Sequence, residues 1–192
     1  MSLVLKPEIE PNHASMLTLI TAMAVAGGIE KTTGLECKIK WPNDIVIHGK
    51  KVCGILTEMS TQMDYINYIV IGIGINVQNE SFPEEIGEVA TSLRIESGKK
   101  QNRAAIIEAV WEEFEKYYDI YLKTEDMQGL VGEYDQKLAN MNKQVRVLDP
   151  KDPYEGTARG ITPKGELIVD TWEARKLVSS GEVSVRGLYG YV

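Results

Sequence analysis

Residues Ala14 to Ile29 are apolar on almost every side of a helical projection. Met16, Leu17, Leu19, Ile20, Met23 and Val25 leave no polar stripe, and a helix of that kind must be enclosed by other elements. Asn12 can cap it, the helix runs from about His13 to Lys31, and Gly34 suits its stop. Thr18, Thr21 and a glycine pair interrupt the stretch, which is shorter than a membrane span. The remainder of the chain has to supply the cover.

It does so first with strands. Ser2 to Ile9 reads as a short strand before the helix. After it, Cys37 to Lys40, Ile45 to Ile47, Lys51 to Met59 and Tyr65 to Ile73 alternate with turn signals at 41–44, 48–50 and 62–64. Successive strands joined this way form an antiparallel meander. A helix capped by Asn102 follows, with Ile106, Ile107, Val110, Phe114, Tyr117, Tyr118 and Tyr121 at three- and four-residue steps. A shorter helix is expected over Met127 to Lys137. From Gln144 the pattern is all-β. Gln144 to Leu148, Tyr154 to Ile161, Glu166 to Val169, Arg175 to Val178 and Glu182 to Val185 suggest a small barrel that closes its own edges. The expected architecture is α+β, a mostly antiparallel or mixed sheet packed on helices over residues 1–140, followed by a small β-barrel over 141–192.

Charge narrows the function classes. The net charge of -7 and the lack of a basic patch beyond Lys99, Lys100 and Arg103 argue against nucleic acid as a partner. Two separated cysteines, Cys37 and Cys53, make neither a disulfide framework nor a zinc site and read as small core residues. Lys6, Glu8 and Glu10 interrupt the start in a way a signal peptide does not. A cytoplasmic protein with no membrane partner is expected.

Four features can carry chemistry. Lys40, Trp41, Pro42, Asn43 and Asp44 end a strand in a rigid turn bearing a cation, an aromatic, an amide and a carboxylate, though Asx-rich turns of this kind are also common structural devices. In Lys51-Val52-Cys53-Gly54-Ile55-Leu56, strict alternation puts Lys51 on one face with Cys53 and Ile55, and Val52, Gly54 and Leu56 on the other. A cation among apolar neighbours wants an anionic partner unless it snorkels to water. Gly54 admits a ligand or another backbone close to the strand. Gly72, Gly74, Ile75 and Asn76 suggest close backbone approach beside an amide that can read a base or phosphate, or simply a bulge. Arg186, near the last strand, can reach a neighbouring domain or stay a solvated charge.

Together and in this order, these segments resemble the biotin protein ligase family. Residues 40–44 look like its Lys-Trp-Pro-Asn-Asp signature, 51–56 are similar to its Lys-Ile-Ala-Gly-Ile-Leu strand with Val52 and Cys53 as departures, and 72–76 match Gly-Ile-Gly-Ile-Asn. The stretch from Gly160-Ile161 to Arg186 resembles its SH3-like C-terminal domain. The resemblance implies part of a class II synthetase-like catalytic domain that joins biotin to ATP, giving biotinyl-5'-AMP, and passes biotin to a lysine of a biotin carboxyl carrier domain. It implies that Lys51 is the active-site lysine and that Asp44 orients the carrier lysine or accepts its proton. Asn43 and Asn76 would then hold the nucleotide side, Lys40 would support the phosphates, and Gly54, Ile55 and Leu56 would line the biotin channel; Trp41, Gly74 and Ile75 would join the substrate- or nucleotide-binding residues, with Arg186 reaching in from the small domain. Mg²⁺ is expected with ATP, held through phosphates.

The family's Ser/Thr-Asn biotin contact and its Gly-Arg-Gly-Arg-x-x-Arg loop are not in these residues, so this chain alone is expected to make little or no adenylate. Two other readings stay open: a non-catalytic module that binds carrier or nucleotide, and a lipoate-type acyl ligase. Exposed sheet edges make a homodimer conceivable.

Overall fold

The computed structural model describes residues 1–62, 65–149, 151–180, 184–188 and 191–192. In chain order the elements are β1 (Ser2–Leu5), α1 (Met16–Thr33), β2 (Lys38–Lys40), β3 (Asp44–Ile47), β4 (Lys50–Gln62) and β5 (Tyr65–Ile75). Then come α2 (Glu84–Gly87), α3 (Leu93–Ser97), α4 (Arg103–Thr124) and α5 (Val131–Lys137). The chain closes with β6 (Gln144–Leu148), β7 (Tyr154–Ile161), β8 (Leu167–Asp170), β9 (Arg175–Val178) and β10 (Ser184–Gly187). The turn expected at 62–64 and the start of the strand expected at Glu182 lie partly outside the described residues.

Two antiparallel sheets result, ordered β1-β5-β4-β3-β2 and β10-β6-β7-β8-β9. The meander is as expected, and β1 adds to its far edge against β5. The α+β class holds.

α1 is enclosed between the first sheet and α4, and residues such as Leu17, Leu19, Ile20 and Met23 are fully buried. Residues Pro11–Thr33 are long and apolar enough to cross a membrane, yet most of that stretch lies inside the fold. The hydroxyl of fully buried Thr21 is satisfied locally, donating to the Leu17 carbonyl at 2.7 Å. The N-terminus differs from the expected one. Pro11 opens a short 3-10 turn, Pro11–His13, the α-helix proper starts at Met16, and Asn12 does not cap it. Proline fixes φ and lacks an N–H, so it suits a tight turn ahead of the regular helix. The other end is as expected, with Gly34 left-handed at φ 74° and its N–H on the Glu30 carbonyl at 2.9 Å.

Asn102 caps α4, its side chain accepting from the Ala104 and Ala105 amides at 3.0 and 3.4 Å. Ile106, Val110, Phe114, Tyr117 and Tyr121 face inward, whereas Ile107 is exposed and Tyr118 half-buried. α5 starts four residues later than expected, and the Met127 amide donates to the Pro163 carbonyl at 2.7 Å.

That bond belongs to the junction between the second sheet and the rest of the fold. The turn after β7 brings Gly165 against Met16 and Leu19 of α1, where an added Cβ would lie 3.2 and 3.0 Å from their side chains. The Gly165 carbonyl accepts from Trp41 Nε1 at 3.1 Å, and Asp135 Oδ1 accepts from the Ile161 amide at 3.0 Å.

Two outcomes follow from the packing. A Cβ on Gly28 would fall 2.7 Å from the Val110 amide nitrogen on α4. For Gly28→Ala, overpacking of about 1–3 kcal/mol should outweigh the helix-propensity gain of about 1 kcal/mol, lowering the urea unfolding midpoint. Burial, with Glu30 beside Cys37 and Asp44 beside Cys53, pushes both thiols up to about 12. A raised thiol leaves stability untouched below its ordinary range and lowers it as pH climbs toward that value. At pH 8 both cysteines should resist a thiol reagent in the folded chain and react fully in urea.

Candidate active site

One irregularity in β4 builds the site. Asp44 lies opposite Gly54, Ile45 opposite Cys53, but Val46 lies opposite Lys51, so Val52 is an extra residue in the ladder. The alternation therefore slips by one. Val52 and Cys53 both enter the core, at 0% and 1% exposure. Lys51 emerges on the face of Asp44 and Gly54, not with Cys53 and Ile55 as strict alternation predicts.

Directly opposed residues share a face. Lys40 opposes Asp44, Asp44 opposes Gly54, and Gly54 opposes Gly74, which lays a row across four strands. Lys51 leans over this row: its Nζ is 2.5 Å from Asp44 Oδ1, and a Cβ on Gly54 would meet its Cε and Nζ at 3.0 Å. The glycine is what lets the ammonium lie flat on the sheet.

Asp44 is the anchor. It is buried, Lys51 faces Oδ1, Lys40 Nζ stands 3.8 Å from Oδ2, and the Tyr191 hydroxyl donates to Oδ2. Lys40 is equally buried, which lowers its pKa; Asp44 opposes that shift, and the positive charges of Lys51 and Arg186 add to it. Arg186 itself is exposed on β10, yet near enough to be felt at Lys40.

Beside this row lies an open depression of about 550 Å³, bordered by Asn43, Lys51, Gly54, Ile55, Leu56 and Gly74, among others. Its floor lacks side chains at Gly54, Gly72 and Gly74, so a flat ligand could lie against backbone. Leu56 is 63% exposed at its edge, an apolar group awaiting cover. Ile55 splits between the two faces: its side chain is buried, while its backbone bonds to Asn43 through N–H to the Asn43 carbonyl at 3.0 Å and through C=O to Asn43 Nδ2 at 2.8 Å.

The sequence-predicted residues thus gather in large part. Lys40, Asp44, Lys51, Gly54 and Gly74 meet in one row, and Arg186 approaches it. Trp41 stands apart from the row: it is 1% exposed and its indole N–H donates to the Gly165 carbonyl, so it braces the second sheet. Asn43 and Asn76 both have an amide hydrogen already engaged. Asn76 Nδ2 donates to the Thr91 carbonyl at 3.1 Å and its backbone ties Val52 to Leu93, so it fastens the loop that follows β5. Ile75, at the end of β5, is half-buried and packs on the core. Tyr191 escaped the sequence reading, since an aromatic 147 residues from its partner carries no local signal.

Among the described residues, no group of three or more His, Cys, Asp or Glu side chains could hold a metal ion. Asp44 is the row's single acid and already faces two ammonium groups.

Residues 1–76 match the Biotin/lipoate A/B protein ligase family, and residues 141–186 match the Biotin protein ligase C terminal domain. The chain is 38% identical over 187 residues to the bifunctional ligase/repressor BirA of Bacillus subtilis, covering 96% of this chain and 57% of that protein. It is 30% identical to the biotin–[acetyl-CoA-carboxylase] ligase of Mycobacterium tuberculosis, over 87% of this chain and 61% of that one. The solved biotin protein ligase from Aquifex aeolicus in complex with biotin and ATP superposes with a TM-score of 0.86 at 30% identity, over 97% of this chain and 77% of that one. The chain belongs to the biotin protein ligase family. It spans a little over half the length of the Bacillus relative.

The row gives a direct test of its geometry. In Gly54→Ala the new methyl displaces only the end of a flexible lysine, so the unfolding free energy should change by less than about 1 kcal/mol. The Lys51 ammonium should leave Asp44, and its acylation by an amine-reactive reagent, followed by mass spectrometry, should speed up.

Proposed function

We propose that this chain carries the lysine-bearing part of a biotin–protein ligase active site and its C-terminal β-domain, with the boundary at residues 140 and 141. The substrates are biotin and ATP. In the first step a biotin carboxylate oxygen bonds to the α-phosphorus of ATP, the α–β phosphoanhydride bond breaks, and pyrophosphate leaves. In the second, a lysine amine of a carrier domain bonds to the acyl carbon, AMP leaves, and the amine gives up a proton. The observation that carries this reading is the Lys51 ammonium lying over Gly54, 2.5 Å from Asp44, at the rim of a glycine-floored depression.

Two anions must meet in the first step. Lys51 supplies the positive charge between carboxylate and phosphate, a charge that gains weight as bound substrates displace water from the depression. Asp44 keeps Lys51 in place before the substrates arrive. Both of its oxygens are engaged, so accepting a proton from the carrier lysine would break an existing contact; orienting is the role the geometry supports. Lys40 and Arg186 add positive charge on the phosphate side. Gly54, Gly74, Ile55 and Leu56 border the space for the biotin ring. Mg²⁺ would arrive on the phosphates, because the row offers no carboxylate cage for it.

A biotin carboxyl carrier domain is the expected protein partner, nucleic acid and membrane are not, and the cytoplasm is the expected setting. A homodimer through a sheet edge belongs to the same reading. A lipoate-type ligase is the second candidate, since the match over residues 1–76 spans both ligand types, but the C-terminal match is to the biotin branch.

The test is biotin transfer to a carrier domain by this chain, or by a longer natural chain containing it, with lipoate as the competing substrate. Lys51→Ala should lower the rate of adenylate formation by about 100-fold or more. Undiminished transfer would remove the assigned role of Lys51, and lipoate transfer alone would move the chain to the other branch.

A further inference from the structure

The C-terminal end of the described chain returns to one carboxylate of the first sheet. Asp44 sits at the start of β3, while Tyr191 lies beyond β10 and outside the residues matched by the C-terminal family. Their contact is double. The Tyr191 hydroxyl donates to Asp44 Oδ2, and Lys40 Nζ lies 4.4 Å from the centre of the Tyr191 ring while also standing 3.8 Å from the same Oδ2. A phenol, a carboxylate and an ammonium thus close a triangle, in which the ring face attracts the cation and the hydroxyl holds the anion.

We propose that Tyr191 is a positioning residue of the ligase site, fixing the Asp44 carboxylate so that Oδ1 keeps Lys51 over Gly54 and holding Lys40 between ring and carboxylate. This rests on the ligase reading above. A carboxylate held at Oδ2 alone by a distant lysine could rotate about its Cβ–Cγ bond and release Lys51. A phenol donor on Oδ2 removes that freedom, leaving Oδ1 aimed at the ammonium at 2.5 Å. Tyr191 is half-buried, and burial together with the bond to Asp44 raises its phenol pKa, with Arg186 pulling the other way. The charged and titratable groups around the contact are Lys40, Lys51, Arg186 and the Cys53 thiol. The C-terminal β-domain then contributes to the site through its tail, and its seating on the first sheet through Trp41 and Gly165 places that tail.

Two measurements test it. In the full chain with ¹³C-labelled tyrosine, the Tyr191 resonance, assigned by its loss in Tyr191→Phe, should titrate above the ordinary value of about 10. In Asp44→Asn its midpoint should fall; an unchanged midpoint overturns the contact. Calorimetry with a non-hydrolysable biotinyl-adenylate analogue, on this chain or a longer natural chain containing it, should show Tyr191→Phe binding about tenfold more weakly than wild type. Tyr154→Phe, far from the row, should bind as wild type does. Unchanged or tighter binding by Tyr191→Phe overturns the positioning role. Failure of the wild type to bind the analogue would instead sink the ligase reading and the role with it, while the phenol titration would still decide the contact.

Discussion

A helix without a polar side has to be enclosed, and enclosing α1 dictates where everything else can go. The first sheet gives one whole face to it and α4 closes the other side. The charged side chains of β2, β3 and β4 can then emerge only on the opposite face of the sheet, away from the core. The functional row is the polar remainder of a packing problem: Lys40, Asp44 and Lys51 stand together because the other side of their strands is spoken for.

The bulge at Val52 reconciles the two demands. With regular alternation, a strand that buries Cys53 and Ile55 would bury Lys51 too. An extra residue lets Val52 and Cys53 both go inward and turns Lys51 out beside Asp44. The same region of the chain is held from the far side, where the Lys51 amide donates to the Val89 carbonyl and the Thr91 amide donates to the Lys51 carbonyl, at 2.7 and 2.8 Å. Asn76 fastens that loop in turn. A lysine on a backbone clamped from two sides loses less freedom when it meets a charged ligand than one on a loose loop, and that is the physical content of a preorganised site.

The second sheet is joined to the rest of the fold by specific contacts from the first sheet and from the helical segment after it. Trp41 reaches across to Gly165, Met127 to Pro163, Asp135 to Ile161, and Tyr191 returns to Asp44. Trp41 sits one residue from Lys40 and three from Asp44, so the turn that ends β2 both carries the charged row and anchors the β-domain.

Much was legible in one dimension. The apolar run over Ala14 to Ile29, the capped amphipathic helix after Asn102, the meander and the five late strands follow from period, turn chemistry and capping, which are local properties of a chain. The spaced Lys-Trp-Pro-Asn-Asp and glycine-flanked segments pointed to the family before any fold was known. What needed tertiary structure was of another kind. The face on which Lys51 emerges depends on a register slip that exists only between paired strands. The use of Trp41 as a brace, of Asn76 as a loop clamp and of Tyr191 as a partner for Asp44 depends on which distant segments arrive. Periodicity reports which side of an element is apolar; it carries no information about what meets that side from elsewhere in the chain.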